Sequence, residues 1–305
     1  MSILIAGFGN QGKKRLKYLS QKVYVADINP KLKKFKDYKK IPMNLFSSAF
    51  LCLPDKLKKK ASKYFINKKK NILVEKPFII NKKEFNFYKK KILKNKIVIY
   101  TAYNHRFEPN LIKLKKLLAS KIIGKIYHVK ILYGNGTAKL VKKSKWKDKF
   151  GGVVLDLGSH LIDMIIFLFN KKSFKFNLIS KFKFENKSND HVLFKSTNTN
   201  IKILCEASLL RWKNVFNLDV IGEKGSIHVN GLCKWGPSQL IINKRKFPSG
   251  IPAEKKTTIK CSDPTWQKEH KFFLNLIKNK KSNINLELLK KDYYISKELK
   301  KLIEK

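Results

Sequence analysis

Arginine is nearly missing from this chain. Of its 69 basic residues only Arg15, Arg106, Arg211 and Arg245 carry a guanidinium; the rest are lysines. Acidic residues are also few, 21, so the formal net charge is +48. Such a balance points first to nucleic acid or an anionic membrane. The shortage of arginine points away from both, because base edges and phosphates are read best by the planar guanidinium fork. The lysines spread over nearly every segment, without a basic stripe and without aromatic residues interleaved in a basic motif. No specific nucleic-acid partner is expected. Lysine, asparagine, isoleucine and phenylalanine share A/T-rich codons, so the excess reads as nucleotide bias wherever a solvated cation is tolerated.

Cysteine is scarce as well. Cys52, Cys205, Cys233 and Cys261 form no C-x-x-C pair, which argues against a zinc ribbon or a redox dithiol. The longest apolar run, 161–169, falls far short of the roughly 20 residues of a membrane span and contains Asp163. Residues 1–6 carry no basic stretch of the kind that opens a secretory signal. A soluble, cytoplasmic protein with no membrane partner is expected.

What the chain does have is alternation. Short apolar runs at 3–6, 23–26, 49–53, 72–74 and 97–100 read as buried parallel strands, separated by helical stretches at 13–20, 55–66 and 82–93. That progression predicts a doubly wound α/β domain. Beyond an amphipathic stretch at 111–118 the pattern changes to strands at 126–133, 174–184, 191–195, 201–209, 216–221 and 226–229, with helices at 263–278 and from 286 onward. The expected architecture is a Rossmann domain, 1–118, followed by an α+β domain, 119–305, built on a large open, mainly antiparallel sheet.

Three motifs carry chemistry. Gly7-Phe8-Gly9-Asn10-Gln11-Gly12 follows the first strand and opens a helix, and Asp27 ends the second strand 20 residues beyond Gly7. This is the dinucleotide fingerprint in its required context. Gly7 permits the tight turn, Gly9 lets a pyrophosphate approach the backbone, and Gly12 lets helix and strand pack closely. The helix N-terminus offers unpaired N–H groups to the phosphates. Asp27 would accept from the ribose hydroxyls and repel a 2′-phosphate, so NAD is the expected cofactor. Lys31, Lys33 and Lys34 follow closely and leave NADP open.

The second motif, Glu75-Lys76-Pro77, ends a predicted parallel strand at the edge where open α/β sheets bind ligands. A lysine beside a cationic nicotinamide ring is suited to act as a general base. The third is the run 151–163, in which Asp156, His160 and Asp163 interrupt an apolar pattern. On an α-helix they stand at i, i+4 and i+7, so one face carries carboxylate, imidazole and carboxylate. His160 there could relay a proton. The alternatives are a helix cap with a core histidine, or a metal site; the latter lacks a fourth ligand, and no metal is expected.

Together these residues resemble the Gfo/Idh/MocA oxidoreductases. The resemblance rests on the 7–12 fingerprint, Leu53-Pro54, Glu75-Lys76-Pro77, Tyr103-Asn104-His105-Arg106-Phe107, Ile123-Gly124-Lys125-Ile126, the Asp156/His160/Asp163 helix and the turn Gly222-Glu223-Lys224-Gly225-Ser226. It implies an NAD(P)-dependent enzyme acting on a secondary alcohol or ketone of a sugar, polyol or nucleotide sugar, with a role in surface-carbohydrate synthesis among those open to it. It implies that Lys76, Asp156 and His160 are catalytic, with the hydroxyl proton going to Lys76 or His160. It places Leu53, Pro54, Glu75 and Asn104 at the cofactor, with Lys76, His105 and Arg106 at the substrate. Trp146 and Arg211 are candidate pocket residues, an aromatic face for a sugar and a guanidinium for an anionic group. The string 232–238 is a candidate specificity loop. A homo-oligomer, dimer or tetramer, is expected. Two other readings stay open: an NAD-using lyase or epimerase on a sugar derivative, and a cofactor-binding regulator without turnover.

Overall fold

A computed structural model of the protein describes residues 2–29, 35–144, 147–171, 174–279 and 282–304. The chain forms two compact units, Met1–Asn104 with Trp266–Ser296, and His105–Thr265 with Lys297–Lys305. It opens with β1 (Ile3–Ala6), α1 (Asn10–Lys17), β2 (Val23–Ala26), β3 (Ser48–Leu51), α2 (Asp55–Asn67), β4 (Asn71–Glu75), α3 (Lys82–Asn95) and β5 (Ile99–Ala102). There follow α4 (Pro109–Ala119), β6 (Ile126–Gly134), α5 (Ala138–Lys142), α6 (Ser159–Phe169), β7 (Asn177–Phe182), β8 (His191–Ser196), β9 (Lys202–Ser208), β10 (Val215–Gly222), β11 (Gly225–Asn230), β12 (Ser238–Lys244) and β13 (Ala253–Ile259). Two helices close the chain, α7 (Thr265–Lys278) and α8 (Ser282–Glu304).

In the first unit β2-β1-β3-β4-β5 form an all-parallel sheet. Such a sheet must be covered on both faces. Leu4, Leu51, Ile72, Val74 and Ile99 pack on one face against Phe65 and Ile66 of α2 and Tyr88 and Ile92 of α3. α1 contributes little to the other face, since its single large apolar residue, Leu16, is exposed. Ile3, Ile5, Phe50, Leu73 and Tyr100 are instead covered by Phe273 and Leu276 of α7 and Leu288 of α8. Polar ties seat the same helices: Thr101 Oγ1 donates to Asp292 at 2.7 Å and Asn285 Oδ1 accepts from Ile99 N at 3.2 Å. A division at residue 118 therefore does not describe these units. The need for a second covering layer returns residues 266–296 to the parallel sheet, and α4 packs with α6, β11 and β12 in the second unit.

The second unit is an eight-stranded sheet, β13-β12-β11-β10-β6-β9-β8-β7. Every neighbouring pair is antiparallel except β6 with β9. Strand β10 alternates half-buried and buried residues along its whole length, as a sheet covered on one face should. Against the buried face lies α6, whose Leu161, Ile162, Met164, Ile165 and Ile166 are all fully buried. The edge strand β13 is mostly exposed and carries Lys255 and Lys256, which protect a free edge from further pairing. No described helix is long and apolar enough to cross a membrane.

Candidate functional site

In the first unit the glycine turn sits at the carboxyl ends of β1 and β3, on either side of the point where strand order reverses. Gly7 has φ +91°, and a Cβ there would lie 2.5 Å from the carbonyl oxygen of Cys52. The turn thus closes against the end of β3, where Leu53 and Pro54 follow. Gly12 is packed against the Gly7 carbonyl. Gly9 is different: a Cβ there would meet nothing within 4 Å, so the turn presents open space at that one position. Phe8 is half-buried, whereas Asn10 and Gln11 are exposed at the start of α1. That helix has Gly9 as its N-cap, no capping side chain and no acidic residue in its first turn. These features fit a dinucleotide phosphate, which needs close backbone approach and free N–H donors.

Asp27 closes the same turn from β2. Its Oδ2 accepts from Phe8 N at 2.5 Å and its Oδ1 from Asn29 N at 2.8 Å. Each carboxylate oxygen keeps a further lone pair. Lys31, Lys33 and Lys34 lie outside the described residues.

Glu75 ends β4, and Lys76 follows it. Glu75 is buried, and its Oε1 accepts from Arg15 Nε at 2.6 Å. Arg15 Nη1 reaches Glu269 Oε2 at 2.6 Å, and Tyr100 OH donates to Glu269 Oε1 at 3.1 Å. Trp266 lies against the guanidinium, 4.4 Å from its ring centroid. One arginine is therefore shared by two buried carboxylates, and burial pushes the Glu269 carboxyl above its ordinary range. Lys76 itself is half-buried, and Asn104 is buried at the end of the first unit's leading segment.

The second unit gathers a different set. The chain between Val154 and Gly158 forms a π-helical turn, and α6 begins only at Ser159. Asp156 therefore lies in a π-helical turn that runs on into α6, rather than one ordinary α-helical turn before His160. Asp163 faces Arg106: Nε donates to Oδ1 at 3.0 Å and to Oδ2 at 2.9 Å, and Nη2 adds a short bond to Oδ1. The pair is buried on both sides, so the Arg106 fork is engaged with Asp163. The His160 ring lies 4.1 Å from that of His105. Tyr133 of β6 meets both, at 5.3 Å from His105 and 5.9 Å from His160. Burial, with the charges of Asp156 and Asp263, drives the Tyr133 phenol far up, so it remains a neutral hydroxyl.

Lys234 completes this cluster and was not a candidate from sequence, although its loop was. Its Nζ donates to Tyr133 OH at 2.8 Å and to His105 Nε2 at 3.3 Å, and lies 4.2 Å from the Trp235 ring centroid. Glu108 anchors the loop by accepting from Cys233 N at 2.9 Å. The interleaved lysine and tryptophan were the only local signal, and 65 lysines hide any one of them. Arg211 pairs with Glu206 at 2.5 Å, its side chain packed over Gly134. Trp146 lies outside the described residues. Among the described residues no group of three or more His, Cys, Asp or Glu could hold a metal ion, and the Arg106 pairing shows how Asp163 is used.

A parallel sheet closed by a glycine turn, joined to a unit built on a broad mixed sheet, defines the class: a Rossmann-type α/β protein with a second sheet domain. Residues 111–228 match the GFO/IDH/MocA C-terminal domain. That match covers less than half of the chain, and within it the chain is similar to the Gfo/Idh/MocA family. It is 31% identical over 109 residues to glucose-6-phosphate 3-dehydrogenase of Bacillus subtilis, a match covering 34% of this chain and 31% of that protein. It is 22% identical over 185 residues to trans-1,2-dihydrobenzene-1,2-diol dehydrogenase of Xenopus laevis, covering 60% and 55%. These matches span about a third to a half of the curated relatives. Among solved structures, levoglucosan dehydrogenase in complex with NADH superposes with a TM-score of 0.79 at 16% identity, over 100% of this chain and 96% of that one. UDP-N-acetylglucosamine 3-dehydrogenase of Acidithiobacillus ferrooxidans gives 0.75 at 12% identity, over 100% and 99%. At these identities the likeness shows the fold.

Proposed function

We propose that the protein is an NAD(P)-dependent oxidoreductase acting on a secondary alcohol, or the corresponding ketone, of a sugar or polyol. The observation that carries this reading is the glycine turn, open at Gly9 and uncapped at the start of α1, with Asp27 beside it. Gly7, Phe8, Gly9, Asn10, Gln11 and Gly12 would hold the pyrophosphate, and Asp27 the ribose through its remaining lone pairs. Leu53, Pro54, Glu75, Lys76 and Asn104 would line the rest of the cofactor. The dinucleotide, when bound, supplies the two-electron acceptor.

The chain's own residues then have to bind the alcohol and move one proton. Lys76 at Nζ or His160 accepts the hydroxyl proton, and Asp156 completes the polar catalytic group beside the substrate carbinol. His105, Arg106, Trp146 and Arg211 are the further substrate residues in this reading. Arg106 acts by fixing Asp163, while His105 acts through its ring contact with His160. The similar dehydrogenases support a sugar-like substrate, and one of them acts on a nucleotide sugar, UDP-N-acetylglucosamine. A nucleotide sugar used in surface-carbohydrate synthesis falls within the same reading.

The test is absorbance at 340 nm with NAD or NADP and a panel of sugars, sugar phosphates, polyols and nucleotide sugars, beside Lys76→Ala. Reduced cofactor accumulating with one substrate, and not in the variant, is the expected result. Tight cofactor binding with substrate conversion but no net reduction would replace this reading by a lyase or epimerase that returns its hydride.

A further inference from the structure

Under the Glu75-Lys76-Pro77 turn lies a second lysine with an unusual position. Lys58, on α2, is 3% exposed in a chain whose other lysines are mostly solvated. Its Nζ donates to Asp55 Oδ1 at 2.6 Å, to the carbonyl oxygen of Lys76 at 3.1 Å and to that of Pro77 at 3.1 Å. An ammonium has three donors, and all three are used here. Burying such a charge is costly, and burial does lower the proton affinity of Lys58; Asp55 and Glu75 raise it, and Lys76 lowers it. An apolar side chain could fill the same space without that cost, but it could not hold two successive carbonyls.

We propose that Lys58 is a positioning residue for Lys76: by gripping the carbonyl oxygens of Lys76 and Pro77 from below, it sets where the Lys76 side chain is presented. The grip works together with Arg15, which fixes the neighbouring Glu75 side chain at 2.6 Å. The turn is thereby held at three successive residues, by one cation from α1 and one from α2. The catalytic value of this arrangement rests on the reading of Lys76 as the proton acceptor. Its structural content does not.

The test compares Lys58→Met, which keeps length but removes every donor, with Lys58→Arg, which keeps charge and donors. Amide hydrogen exchange is followed in residues 75–80 and in α3 as an internal reference. For Lys58→Met, exchange in 75–80 is expected to rise at least about tenfold with α3 unchanged, because the turn opens locally. With the alcohol found at 340 nm, kcat is expected to fall about 10- to 100-fold, the penalty for misplacing a reacting group by about 1 Å. Lys58→Arg should recover most of both losses. Unchanged exchange in 75–80 overturns the proposal. So does unchanged kcat in Lys58→Met when Lys76→Ala is inactive. If Lys76→Ala is fully active, the catalytic reading of Lys76 falls on its own account, and hydrogen exchange still decides whether Lys58 sets the turn.

Discussion

Replacing Arg15 by methionine would leave two carboxylates buried with no cation between them. Glu75 is 7% exposed and Glu269 is fully buried, and Arg15 Nε and Nη1 are their shared partners at 2.6 Å each. Removing one partner of a buried ion pair costs about 3–5 kcal/mol, mostly through the charge left behind. Arg15→Met should therefore lower the melting temperature by roughly 10 °C at pH 8. The loss should depend on pH in a definite direction. Burial already raises the Glu269 carboxyl above its ordinary value, and without Arg15 the repulsion of Glu75 adds to that. A group raised in the folded state contributes stability below its unfolded value, and that contribution is lost as pH rises through the folded one. The variant should thus be least impaired near pH 5 and most impaired at pH 8. Unfolding by urea, followed by circular dichroism at both pH values, measures the difference. Arg15→Met combined with Glu269→Gln should recover at least half of the loss at pH 8. A loss below about 1 kcal/mol, or one equal at both pH values and unrelieved by Glu269→Gln, would refute the account of this buried triad.

His270 gives a slope of opposite sign. Burial first, and the Arg15 charge second, lower its value from 6.5 to about 4. Stability from this group is complete above 6.5 and is lost as pH falls from 6.5 toward 4, by about 3 kcal/mol in all; His270→Gln should flatten that part of the stability curve. Gly9→Ala should fold with an unchanged melting temperature yet weaken NADH binding at least about tenfold, since its methyl enters open space that the proposed pyrophosphate needs. Gly7→Ala, whose methyl would strike the Cys52 carbonyl, should lose stability as well, and equal NADH affinity in all three proteins would remove the glycine turn from the binding site. Light scattering at moderate salt is expected to show a dimer or tetramer, and a monomer would end the expectation of a homo-oligomer.

Much of this protein was legible because its information is local. The strand at 3–6, the glycine turn and Asp27 lie within one βαβ segment, where a periodic pattern and a turn needing φ > 0 leave few alternatives. The same holds for Glu75-Lys76-Pro77 at the end of β4 and for the alternating strands β6 to β11. Strands β12 and β13 were not read, and β13 shows why: Ala253-Glu254-Lys255-Lys256-Thr257-Thr258-Ile259 is polar along most of its length, and only its ladder with β12 makes it a strand. The π-helical turn at 154–158 is likewise invisible to a spacing argument that assumes 3.6 residues per turn.

By itself, then, the sequence determined a doubly wound domain, a second sheet, a dinucleotide fingerprint and the short motifs around Lys76 and His160. Tertiary structure alone decided which charges meet. Arg15 finds Glu269 across 254 positions, Arg106 finds Asp163 across 57, and Lys234 finds Tyr133 across 101. It also decided that residues 266–296 return to cover the parallel sheet. The physical reason is common to all of these. A buried charge or an uncovered apolar face states that a partner is required, but its position in the chain does not say which partner. That choice is made by the packing of elements whose order in space differs from their order in sequence.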